Sequence, residues 1–270
     1  MIKFSGLFSI GISSIAVFIC SILSFENERS PQTILSDHQT DGSKFHVGTS
    51  QRHFGESKNN PPEVKILSPK NNSVHKLNSL IRYSITVSDV EDGESKYDEI
   101  PSGKVFLEIK YVESSSDTWD NRKHASNDEP IGLSLMKNSD CFTCHQFKTK
   151  LIGPSFQEIA TRYLKAPAGK QILVKRIVGG STGIWGEAIM PAHPDITPEA
   201  SENIVVWILN NGTNLNLNYL MGKEGALRIE RPPGARDGFF VLKASYTDKG
   251  LQDKTKENLS GKDVIIIRYK

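Results

Sequence analysis

Apolar and polar positions alternate in three short runs, EVKILSP (63–69), SLIRYSITVSDV (79–90) and GKVFLEIKYVE (103–113), with KNNS and EDGES turn clusters in the gaps. A period of two is that of a strand with one buried face, and the turn residues predict antiparallel connections, so residues 61–113 read as a small β-sandwich domain. From residue 131 the period becomes helical, with Ile131, Leu135 and Met136 leading into SDCFTCHQF. TPEASENIVVWILNN predicts a helix with Thr197 as N-cap, Pro198 at its first position, acidic residues in its first turn and an end at Asn211-Gly212. Residues 221–270, with GALRIE, GFFVLKASY and GKDVIIIRYK between Gly and Pro turns, return to β-character as a short C-terminal segment.

The intervening stretches carry other patterns. Residues 114–130, SSSDTWDNRKHASNDEP, form a polar linker, and residues 29–60 are too poor in large apolar side chains to order themselves, so they read as a disordered tether. His38, His46 and His53 lie in that tether without regular spacing and receive no role. At the N-terminus, Lys3 precedes an uncharged run from Phe4 to Phe25, so residues 1–28 read as a signal peptide or a single membrane anchor. Both fit, because about 20 apolar residues span a bilayer. Cys20 follows the bulky Ile19 where lipoprotein processing uses a small residue. The chain is expected to be exported, to the periplasm or cell surface.

The net charge of +2 gives no basic field for nucleic acid, and 37% apolar with 24% charged residues is a globular composition. Asp89, Glu91, Asp92 and Glu94 offer oxygen ligands suited to Ca²⁺, and are equally ordinary in a solvated turn. Outside the N-terminal run the only thiols are Cys141 and Cys144. Structural zinc requires further ligands and no second cysteine pair exists; a thioredoxin-type redox pair calls for a βαβ setting that this region lacks. Cys141-Phe142-Thr143-Cys144-His145 is, however, the C-x-x-C-H pattern of covalent haem attachment. Two thiols about one helical turn apart can add to two vinyl groups on one haem edge, with His145 against the iron. The carbonyl of Pro154 is placed to orient that imidazole. Met190, on the loop GIWGEAIMPAHPDITPEA, is the expected second axial ligand, with His193 on the same loop as its rival.

SDCFTCH, LIGPSFQEIATRY, IVGGSTGIWGEAIMPAHP and ASENIVVWIL together resemble a class I c-type cytochrome. The resemblance implies that the first and last helices cross beside one haem c, that Cys141 and Cys144 attach it, that His145 and Met190 ligate its iron, and that Pro154 orients His145. It places Tyr163, Trp185 and Trp207 around the haem or its propionates, with plain core packing as the alternative. PPEVKILSPKNNS and YSITVSDVEDGE resemble a PKD-type, immunoglobulin-like β-domain. The order of parts in 61–270 resembles the C-terminal half of secreted bacterial proteins in which a PQQ-type sugar dehydrogenase comes first; no dehydrogenase domain stands in this chain.

The expected fold is therefore multidomain: an all-β immunoglobulin-like (PKD-like) domain at 61–113, an all-α cytochrome c domain at 131–220 and a β-rich segment at 221–270. The expected function is monohaem electron transfer rather than enzymatic turnover, from a dehydrogenase donor, with this chain as a subunit of its complex as one setting, to a terminal oxidase or another cytochrome. The alternative is a haem-bearing module that binds carbohydrate or a partner in a sensing or localising role. Lys148, Lys150, Lys165 and Lys170 could steer acidic partners, or be a solvated face balanced by Glu158, Glu187, Asp195 and Glu202.

Overall fold

The alternation at 80–89 becomes a ten-residue strand in the computed structural model, which describes residues 58–114, 129–251 and 258–270. The expected signal or anchor, nearly all of the tether, and most of the linker lie outside the described residues. One sheet pairs β1 (Glu63–Ser68) with β3 (Leu80–Asp89), whose other edge carries β4 (Gly93–Glu94) and β7 (Glu224–Arg228). The second runs in the order β2 (Val74–His75), β9 (Ser260–Tyr269), β8 (Gly238–Thr247), β5 (Phe106–Glu113), β6 (Leu217–Met221). All pairings are antiparallel except β2 with β9.

The two sheets share one core. Ile81, Tyr83, Ile85 and Val87 of β3 are buried with Leu107 and Ile109 of β5, Phe240 and Leu242 of β8, and Ile265 and Ile267 of β9. Each such side chain contributes about 1.5–3 kcal/mol over its exposed state. The β-stretches expected as separate units, 61–113 and 221–270, are thus hydrogen-bonded into the same two sheets: β3 pairs with β7, and β5 with both β6 and β8. The reason is that each stretch supplies strands with one apolar face but too few to close a core.

The helical segment enters between β5 and β6. It comprises α1 (Ile131–Asn138), α2 (Cys141–Cys144), α3 (Phe156–Tyr163), α4 (Gly169–Gly179) and α5 (Pro198–Asn211). The α5 cap is as expected, with the Thr197 hydroxyl accepting from the Ala200 amide at 3.1 Å. α3 starts with a capping box in which Ser155 and Glu158 satisfy each other's backbone amides. α1 crosses α5 at Gly132, where a Cβ would lie 2.2 Å from the Asn203 carbonyl oxygen. Only a residue without a side chain permits that approach.

This module is packed onto the outer face of the second sheet. Phe106, Leu217 and Tyr219 belong to the helical core, although they lie on β5 and β6. Lys137 of α1 is buried there: it pairs with Glu129, reaches Ser245 Oγ at 3.2 Å and lies 5.2 Å from the centre of the Phe106 ring. Burial lowers its pKa, and Glu129 opposes that shift. Among the described residues no helix is long and apolar enough to cross a membrane.

Candidate functional site: an apolar cleft at the Cys-x-x-Cys-His segment

The cleft forms where α2 meets α3, α4, α5 and the loop before α5. Ser139 closes α1 through its hydroxyl, bonded to the Leu135 carbonyl at 2.8 Å, and α2 follows as a single turn. That turn brings Cys141 and Cys144 onto the cleft wall, and the His145 amide donates to the Cys141 carbonyl at 3.0 Å. The two sulfurs are not joined to each other. Cys141 Sγ lies 3.2 Å from Ser139 Oγ, and burial pushes its thiol pKa up.

His145 is buried, 9% exposed, with Nδ1 2.6 Å from the Pro154 carbonyl oxygen. A carbonyl can only accept, so Nδ1 carries the proton and Nε2 keeps its lone pair. Burial lowers the histidine pKa, which favours this neutral form; the Pro154 bond acts against the shift and His193 adds to it. Two neighbours lie close to the ring. Phe156 of α3 stacks on it, with centroids 5.5 Å apart. Near Gly153, a Cβ would come within 2.4 Å of His145 Cε1, so a glycine there lets the backbone lie against the imidazole.

Elsewhere along the cleft, the chain from Ser181 to Met190 closes on itself through two backbone hydrogen bonds, Ser181 N to Met190 O at 3.0 Å and Met190 N to Ser181 O at 2.9 Å. Met190 lines the cleft, whereas Met136 is fully buried in the helical core and Met221 lies on β6. His193 also lines the cleft, but its Nδ1 faces Asp140 Oδ1 at 3.6 Å. Trp185 lines it too, with the Arg162 guanidinium 4.8 Å over its ring. The other two aromatics singled out from the sequence are core residues: Trp207 packs against Phe147 and Tyr219, and Tyr163 is buried with its hydroxyl bonded to Arg176.

Three contributors carry little or no sequence signal. Gly153 stands in the IGP stretch but does not announce a packing role. Phe156 looks like any apolar residue of a helix start. Arg176 lines the cleft from α4, where its charge is unremarkable in sequence. Of the four lysines, Lys170 pairs with Glu202, one of the acids of the solvated-face alternative, and Lys148 is tied to the Leu215 carbonyl at 3.0 Å. In the acidic turn, Asp89 Oδ1 accepts from the amides of Glu91 and Asp92, and Asp92 Oδ2 from the Tyr246 hydroxyl. Among the described residues no group of three or more His, Cys, Asp or Glu is placed to hold a metal ion.

The cleft suits a large, flat, mostly apolar group. Its non-atom space, open mouth included, is about 1110 Å³, and its walls include Ile159, Leu173, Ile177 and Ile204. Two thiols suit covalent attachment, an imidazole nitrogen with a free lone pair and a thioether suit iron, and Arg176 suits carboxylate substituents. The residues present therefore fit a haem.

The comparisons with known proteins fall on the same segment. Residues 131–212 match the family model described as Cytochrome c. The chain is 35% identical over 75 residues to cytochrome c-552 of Nitrosomonas europaea, covering 28% of this chain and 73% of that protein. It is 33% identical over 78 residues to cytochrome c-551 of Ectopseudomonas mendocina, covering 29% of this chain and 94% of that protein. Among solved structures, wild-type Nitrosomonas europaea cytochrome c552 is 33% identical and covers 29% of this chain and 96% of its own, with a TM-score of 0.28.

Proposed function

This chain belongs to the cytochrome c family of electron carriers with covalently bound haem, through residues 131–212, and on that premise we propose that Cys141 and Cys144 attach one haem c whose iron is held by His145 and Met190. The observation that carries this is the cleft itself: it gathers the two thiols, the histidine and one methionine, although Met190 lies 45 residues beyond His145 in the chain. When bound, a haem whose iron is held by two protein residues would exchange single electrons and would leave no open site for a substrate.

The protein's own residues hold that arrangement still. Pro154 accepts the Nδ1–H hydrogen bond of His145, Phe156 stacks on the imidazole and Gly153 lies close against it, so its free nitrogen keeps one direction. The Ser181–Met190 bridge fixes the neck of the loop that ends at Met190. Trp185 and Arg176 supply polar atoms at the cleft for the carboxylate groups of the haem. A thioether ligand favours the ferrous state and raises the reduction potential.

In this reading the protein works outside the cytoplasm, in the periplasm or at the cell surface, and takes electrons from a dehydrogenase for a terminal oxidase or a further cytochrome. The export-like N-terminal pattern supports the location. The sandwich is read as a PKD-like module that spaces the haem segment from what it is tethered to. The ligand assignment is tested by Met190→Ala, which is expected to abolish the Met-to-iron absorption band of the oxidised protein, while His193→Ala keeps it. An unchanged band in Met190→Ala removes Met190 as a ligand.

A further inference from the structure

We propose that the β-sandwich is a working part of the haem site, with Phe106 of β5 acting as a positioning residue for His145 through Phe142 and Phe156; this rests on His145 being an iron ligand. Successive residues of β5 face opposite ways. Leu107 points into the sandwich core, whereas Phe106 belongs to the core of the helical module. There the Phe106 ring meets Phe142 edge-on at 5.1 Å, Phe142 meets Phe156 edge-on at 5.2 Å, and Phe156 stacks on His145 at 5.5 Å. All three phenylalanines are buried.

Phe142 lies between the two cysteines and is the buried residue of that one-turn helix. What stands behind it is the sheet. Lys137, four residues before Cys141, strengthens that contact by reaching Ser245 of β8. Because interiors are close-packed, removing the ring behind Phe142 lets α2 shift and carries Cys141, Cys144 and His145 with it. This backing comes from β5 and β8, which lie outside residues 131–212, the segment that matches the family model. A large apolar residue between the cysteines is the sequence feature that goes with it.

The test uses the full-length haem-loaded protein and reads the hyperfine-shifted haem-methyl resonances of its oxidised form by NMR, which report the orientation of the axial ligands, together with the midpoint potential. Phe106→Ala is expected to redistribute the methyl shifts and move the potential. Leu107→Ala, adjacent on the strand but facing the other way, is expected to lower stability and leave the methyl pattern as in the parent. Phe106→Leu keeps most of the packing and is expected to give a smaller redistribution in the same direction; it carries the test where the alanine variant does not fold. An unchanged methyl pattern in the folded Phe106 variants overturns the inference, as does an equal redistribution in Leu107→Ala. A parent spectrum lacking the signature of histidine–methionine ligation overturns the ligand reading instead, and with it what rests on that reading.

Discussion

In the sandwich, Ile81, Tyr83, Ile85 and Val87 of β3 share a core with Phe240 and Leu242 of β8 that is made of its own strands. In the helical module, Ile159, Leu173, Ile177 and Ile204 border a packed core on one side and an open cleft on another. The helical module also borrows Phe106, Leu217 and Tyr219 from the neighbouring sheet. The region proposed to carry the chemistry is therefore the one whose apolar surface is incomplete by itself, closed in one place by the sheet and, in the proposed reading, in another by the haem. The sandwich core is complete without the helical module, whereas the region that holds the cleft leans on the sheet.

The largest effect comes from taking the cofactor away. In the double variant Cys141→Ala, Cys144→Ala, far-ultraviolet circular dichroism is expected to show a substantial loss of helical signal while the β contribution persists. Loss of both in parallel would break the contrast between the regions. Next in size, Leu242→Ala, at a fully buried site in the sandwich, is expected to cost about 2–5 kcal/mol in denaturant unfolding. The visible spectrum of the folded protein should not change, since the site faces away from the cleft.

A smaller but more local effect is expected of Gly153→Ala. Its Cβ would meet the His145 ring at 2.4 Å, so either the backbone or the imidazole must give way. The cost is about 1–3 kcal/mol, with a shifted midpoint potential, whereas an unshifted potential would mean that the ring is held from elsewhere. The smallest effect lies at the α3 cap. Bonds from the Ser155 amide and hydroxyl lower the pKa of Glu158, so its stabilisation is complete above the ordinary carboxylate range and is lost as pH falls through the lowered value. Glu158 is solvent-exposed, so the contribution is well under about 1 kcal/mol. Glu158→Gln is expected to flatten that part of the stability profile, which acid titration of the parent and variant would compare.

Features encoded by neighbouring residues were legible in the sequence. The three alternating runs became β1, β3 and β5, and the Thr197-Pro198 start became that of α5. The Cys-x-x-Cys-His segment needs only adjacent residues, and Pro154 is near enough in sequence for its carbonyl to be foreseen. What escaped was non-local. Alternation shows that a strand has an inner face but not which strand lies beside it, so the pairing of β3 with β7 across the helical insertion had no signal. For the same reason Trp207 and Tyr163 looked alike to Trp185, although only Trp185 reaches the cleft. Phe106 belongs to a run that predicts a half-buried strand, yet its outward face is covered by the helical module.

The central claim is covalent haem at Cys141 and Cys144, and the intact mass of the full chain, expressed together with haem-attachment machinery and measured after acidic organic extraction, tests it most directly. One added haem that survives extraction in the parent, and is missing when both cysteines are replaced by alanine, is the expected result. A parent mass equal to that of the polypeptide alone would contradict the claim.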